Sequence, residues 1–334
     1  MVTLRKFSMW SIAAALFMPL FASAHVKWFV DVAHTAPIRS YSITDGPVLA
    51  WIAIAVVIVG IAILLEKKLP SLRSFSHPFF DYIDPAVISL FSIIIGFGLV
   101  VFSWEGYGFA PNLISTTILG ELMLAFQATI GFALVLGVFV KLASVGLLAL
   151  FFTAMLHFGF GELSDAFEVV GIALILLLFG RPHWTLFDAA RLHALAERYR
   201  DYAVPLLRVF TGVNLVILGF SEKILHPELG MAFLAEYHWN FMQMLGFENF
   251  TDYWFVLSAG TVEALFGVMF ILGLVTRLTA VFLLPFFFAT LILMGPVELF
   301  AHILHFAILL TLLVFGSGRR LKFIRTRLDN TSIV

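Results

Sequence analysis

The chain has 334 residues, 61% of them hydrophobic and only 12% charged, with a mean hydropathy of +1.03 and a formal net charge of −1. Such values exclude an ordinary soluble domain and indicate a protein that lives in the lipid bilayer, with no nucleic-acid partner expected. Cysteine is absent, so disulfides, thiolate nucleophiles, iron–sulfur clusters and Cys-held metals are excluded, and any metal must be held by His, carboxylates or an N-terminal amine.

In chain order, Arg5 and Lys6, the apolar run from Trp10 to Phe21 and the small residues Ala22-Ser23-Ala24 form the three parts of a secretory signal. A retained anchor helix is the alternative, but the run is shorter than the roughly 20 residues that span a bilayer, and Pro19 interrupts it. Cleavage after Ala24 is therefore expected, and His25 would begin an extracytoplasmic segment, 25–46.

Nine apolar segments follow, at about 47–65, 85–103, 118–137, 142–158, 166–180, 205–222, 254–273, 278–295 and 299–316. If residues 25–46 lie outside, the inner side receives Lys67, Lys68, Arg73, Lys141, Arg181, Arg191, Arg198, Arg200, Arg277 and the basic tail 321–334, whereas the outer loops hold only Lys27, Arg39 and Lys223. This asymmetry follows the positive-inside rule and predicts a bacterial inner-membrane protein with a periplasmic mature N-terminus and a cytoplasmic C-terminus. The aromatic-rich stretch from His226 to Trp254 reads as an amphipathic segment along the outer interface.

The chain also resembles itself. Residues 128–180 align with 264–316 without a gap, matching Gly131 with Gly267, Gly137 with Gly273, Gly159 with Gly295, Glu162-Leu163 with Glu298-Leu299, and Lys141 with Arg277. The expected fold is an all-α polytopic bundle: an N-terminal helix, a four-helix unit over 85–183, a cytoplasmic linker over 184–204 and a second unit over 205–320. Four spans per unit is even, so the halves would be related by a pseudo-two-fold axis along the membrane normal, as in parallel-repeat transporters.

In the second unit, "RVFTGVNLVILGFSEKILHPE", "VEALFGVMFILGLVTRLTAV" and "HILHFAILLTLLVFGSGRR" resemble the DoxX-like family of four-helix bacterial membrane proteins. Gly212, Gly219, Lys223, Glu263, Gly267, Gly273, Thr276 and Arg277 carry the resemblance; the first unit is a more degenerate copy, with Gln127 where the second has Glu263. That family includes a subunit of thiosulfate:quinone oxidoreductase and proteins tied to oxidative-stress defence. The resemblance therefore implies redox or quinone-linked work, with a soluble oxidoreductase or the quinone pool as partner, and supplies no catalytic residue.

Ionisable groups inside spans are the remaining signal. Glu263 falls near mid-span, where a charge is expensive, so it must pair or be protonated; Asn214 and Gln127 are the expected partners if its role is structural, and a quinone hydroxyl or a proton if it is functional. Glu298, His302 and His305 stand at i, i+4 and i+7, one stripe at the outer end of the last helix. Glu162, Asp165, Glu168 and His157 gather at the corresponding end of the first unit, so carboxylates of one half would face imidazoles of the other. Three readings stay open: proton exchange with a quinol, a metal site for copper, iron or zinc from His157, His302, His305 and these carboxylates with His25 and His34 in support, and a scaffold whose polar groups only satisfy one another. A transport path between the repeats is a variant of the second.

Overall fold

The structure is a computed structural model that describes residues 26–30, 35, 37–68, 78–187, 192–295 and 298–324. The expected signal sequence, His25 and His34 lie outside the described residues, as do residues 325–334 of the basic tail. Among the described residues the regular structure is helical throughout, with two isolated β-bridges and no strand. Six helices are long and apolar enough to cross a membrane and three shorter apolar ones accompany them, in the positions the nine apolar segments occupy. The protein is thus a multi-pass, all-α membrane bundle that contacts lipid.

The N-terminal helix α1 (Gly46–Lys68) is followed by α2 (Pro78–Trp104), α3 (Ile118–Leu136), α4 (Val140–Phe158) and α5 (Glu168–Phe179). After a short α6 (His193–Tyr199) come α7 (Ala203–Gly219), α8 (Pro227–Tyr237), α9 (Asp252–Leu272), α10 (Thr276–Met294) and α11 (Ile303–Phe315). Two depths of burial separate these helices. Of the most apolar window of α1, 6% is buried, against 78% for α9, so α1 is a peripheral, lipid-facing helix and α9 a central one.

Helix α2 packs on α3, and α7 packs on α9; α5 then packs on α7, and α11 on α2. Glycine permits the two tightest crossings. A Cβ on Gly131 would stand 2.6 Å from the Gly96 carbonyl oxygen, and one on Gly267 would stand 2.5 Å from that of Gly212. In a bilayer, where helices gain little from hydrophobicity, such close backbone contact supplies the attraction. The turns after α3 and α9 also correspond, with Gly137 at φ 71° and Gly273 at φ 68° closing their helices in the left-handed conformation.

We call the end of the bundle at which residues 26–30 lie the upper end; Lys141, Arg181, Arg208 and Arg277 lie at the lower end. There Arg181 Nη1 donates to the carbonyls of Leu134 and Val135 at 3.0 and 2.8 Å, and Arg208, which is fully buried, donates to those of Phe270, Ile271 and Leu321. Each arginine thereby satisfies carbonyls that the end of a helix leaves open.

Two features of the upper end depart from the expectation. The span expected to stop at 222 continues past Gly219 as a π-helical turn, Phe220–Ile224, which carries Lys223 into the bundle rather than into an outer loop; Lys223 is buried. Before α5, two short turns, Phe160–Leu163 and Ser164–Ala166, fold the acidic stretch inward and bury Asp165.

Candidate functional site

The upper half of the bundle interior holds a cluster of ionisable side chains. Lys223 Nζ donates to Glu263 Oε2 at 2.8 Å, both groups nearly inaccessible. The π turn makes this pairing possible, since one extra residue per turn brings both Glu222 and Lys223 to the interior face; such turns recur at functional sites. Glu222 is fully buried and its Oε2 accepts the backbone N–H of Val26 at 2.6 Å. Its Oε1 has no hydrogen-bond partner among the described residues, and neither has Oε2 of the buried Glu168.

Residues 26–30 act as a strap across this cluster. Lys27 Nζ reaches Asp165 Oδ2 at 3.2 Å, and Trp28 Nε1 donates to Asn112 Oδ1 at 3.1 Å. Burial alone would lower the Lys27 ammonium, but Asp165, Glu222 and Glu162 outweigh it and hold it above its usual value. Burial pushes the Asp165 carboxyl up, against the pull of Lys27. A cation among several carboxylates is thus kept charged while one of those carboxylates is ready to take a proton.

The Trp28 ring lies 5.4 Å from that of His302 and 6.4 Å from that of His305. Phe287 stacks on His305 at 5.1 Å and lies 5.3 Å from His302. His305 Nε2 stands 3.5 Å from Glu168 Oε1, so a carboxylate at the start of α5 meets an imidazole of α11. His302 Nδ1 lies 3.0 Å from the Glu298 carbonyl and 3.6 Å from its carboxylate.

The other candidates fall elsewhere. His157 pairs with Ser115 Oγ at 2.9 Å and packs against Phe158, in surroundings separate from those of the His302 and His305 rings. Glu162 is exposed and acts on Lys27 and Asp165 only through its charge. Glu263 binds Lys223 rather than Asn214 or Gln127: Asn214 Oδ1 accepts the Phe167 N–H at 3.1 Å, and Gln127 Nε2 donates to the carbonyls of Leu99 and Tyr107 at 3.3 and 3.1 Å. Among the described residues, no three His, Asp or Glu side chains converge as metal ligands.

Lys27, Trp28 and Glu222 were not singled out by the sequence. One sign was available: "SEK" closes an apolar span with two adjacent opposite charges, a costly place for them unless they turn inward. Nothing comparable marks Lys27 and Trp28.

A model of the DoxX family matches residues 203–296. These residues form a DoxX domain. No curated protein and no solved structure matches the chain. The DoxX domain contributes Glu222, Lys223 and Glu263 to the cluster, whereas Lys27, Trp28, Asp165, Glu168, His302 and His305 come from outside it. The cluster is therefore assembled where the DoxX domain meets the rest of the bundle.

Proposed function

We propose that the protein is a quinone-linked component of the bacterial inner membrane whose upper-end cluster, placed on the periplasmic side, exchanges protons with a quinone. Reducing a quinone to a quinol takes two electrons and two protons. In this reading a soluble oxidoreductase partner supplies the electrons, and the protein's own carboxylates and imidazoles supply the protons. The carrying observation is the buried pair Glu168 and Glu222: each has a carboxylate oxygen without a hydrogen-bond partner among the described residues, and each stands beside a group able to relay a proton, His305 and Asp165 respectively. Buried polar atoms are normally satisfied, so two in one site point to a ligand hydroxyl or an exchanging proton. Trp28 and Phe287 offer ring faces next to the same imidazoles.

The periplasmic placement is supported by the crowding of Lys and Arg at the lower end, and the corresponding turns and glycine crossings favour descent of both units from one four-helix ancestor. A metal reading gains less support, because each imidazole faces a different carboxylate, Glu168 at His305 and Glu298 at His302, and His157 lies apart.

The test is the quinone content of the protein isolated in native lipid nanodiscs without a histidine tag. Near-stoichiometric quinone, reduced severalfold in the double variant Glu168→Gln/Glu222→Gln at unchanged folded yield, is expected. Absence of quinone from the wild type, together with no binding of added decylubiquinone, overturns the reading; stoichiometric copper, iron or zinc in the same sample would replace it with a metal site.

A further inference from the structure

We infer that a separate ring-binding chamber lies between α1 and the DoxX domain, which takes the flat apolar ring of a membrane-soluble molecule with its far edge against the Phe255 and Ala259 partition that separates it from Lys223. This rests on the quinone-linked reading for the identity of the ring, not for the existence of the chamber. The chamber is a cavity of about 250 Å³ lined by Trp51 from α1, by Met242, Phe247 and Phe250 from the segment between α8 and α9, and by Phe255 and Ala259 from α9. Ser258 also borders it, but its hydroxyl is committed to the Trp254 carbonyl at 2.7 Å. The wall therefore offers aromatic faces and almost no hydrogen-bonding groups.

An apolar cavity of about 150 Å³ stays dry and accepts a benzene, so this one has room for a substituted single ring or a fused pair. Aromatic walls favour a flat guest through offset and edge-to-face contacts, and an all-apolar lining cannot orient a polar one. Orientation has to come from beyond the wall. A second, smaller cavity of about 20 Å³ is lined by Val26, Lys223, Trp239, Phe255 and Ala259, so Phe255 and Ala259 are common to both. On the far side of this partition stand the Lys223–Glu263 ion pair and the Val26 N–H bound to Glu222. Phe255 is held edge-on by Phe241 at 5.0 Å, so its ring is fixed between chamber and cluster.

The guest comes from the bilayer. Helix α1, which carries Trp51, is the least buried of the spans and lies against α9 at the bundle's rim, so the Trp51 side of the chamber borders lipid. A ring entering past Trp51 would place a carbonyl or hydroxyl at its far edge nearest Lys223, while an isoprenoid or alkyl tail stays in the lipid.

The experiment uses the full chain in lipid nanodiscs, labelled with a photoreactive azido-ubiquinone analogue with and without excess decylubiquinone, and the labelled peptides are mapped by mass spectrometry. Competable labelling of Trp51 or of residues 242–259 is expected. Competable labelling confined to the peptides of Trp28, Phe287 or His302 would overturn the chamber and leave the quinone reading intact, and no competable labelling anywhere would overturn both. A cavity-filling Ala259→Phe variant adds a second reading: decylubiquinone binding weakened about tenfold or more at an unchanged unfolding temperature supports the chamber, and unchanged affinity overturns it. If that variant does not fold, the labelling map decides.

Discussion

Two glycine-lined helix crossings in the bundle are alike in backbone and differ in the polar groups above them. In the first, α2 and α3 cross at Gly96 and Gly131, and the neutral Gln127 above the crossing binds two backbone carbonyls. In the second, α7 and α9 cross at Gly212 and Gly267, and Glu263 at the corresponding position holds a buried lysine. The helix before Gln127 ends in an ordinary turn at Trp104, whereas the one before Glu263 runs on into a π turn that brings in Glu222 and Lys223. The same backbone crossing is thus compatible with a satisfied amide on one side and a charge cluster on the other, so the frame is a matter of glycines and the chemistry a matter of a few substitutions above them.

The sharpest way to break this comparison is to remove each polar group in turn. Glu263→Ala strands a buried ammonium, which typically costs about 3–5 kcal/mol, while Gln127→Ala exposes only neutral carbonyls at about 1–3 kcal/mol. Thermal unfolding in detergent should rank them in that order; equal losses would mean that the ion pair contributes no more than the amide. Glu263→Gln, which keeps shape and hydrogen bonding without the charge, should fall between.

The shared frame is tested by Gly267→Ala and Gly131→Ala. Either added Cβ would collide with a backbone carbonyl that cannot swing aside, so each should cost at least the ~1–3 kcal/mol of ordinary overpacking, and by similar amounts. A variant that leaves the unfolding temperature unchanged would show that the crossing at that glycine is not tight.

The smallest effect concerns the strap. Lys27→Met removes one partner of a largely buried pair and should loosen residues 26–30 while the bundle stays folded, read as a red shift of Trp28 emission in a chain whose other tryptophans are replaced. The pH dependence has a definite sign. Because its folded value is raised, the stabilisation from Lys27 is fully present below the unfolded value near 10.4 and is lost as pH rises through the higher folded value. Asp165 enters differently: burial raises its folded value, a stabilisation of the fold that is lost as pH rises through that value, but Lys27 pulls the same carboxyl down, so protonating Asp165 removes the charge that the strap holds. Alkaline titration should therefore release Trp28 as Lys27 loses its proton; a Trp28 signal unchanged through that titration would place the strap's hold in other groups.

Much of the frame was legible without coordinates. Long apolar runs determine spans because lipid leaves backbone groups no partner but their own helix, and the matched glycines and the i, i+4, i+7 stripe of Glu298, His302 and His305 are facts of spacing. That the last helix carries its imidazoles at the end where Asp165 and Glu168 lie also followed from counting spans. What spacing could not reveal was which carboxylate meets which base. Glu263 was expected to reach for Asn214 or Gln127, and found Lys223 because a π turn, whose extra residue leaves no mark in hydropathy, rotated that lysine inward. His157 shares an expected end of the bundle with His302 and His305 but faces Ser115. The sequence by itself determined that the protein is an all-α, multi-pass membrane bundle and where its apolar segments lie, since those depend on local composition and run length. Only the tertiary structure decided the strap of Lys27 and Trp28, the cluster it covers and the chamber beside Phe255, because each brings together residues more than a hundred positions apart through side-chain directions that no local pattern encodes.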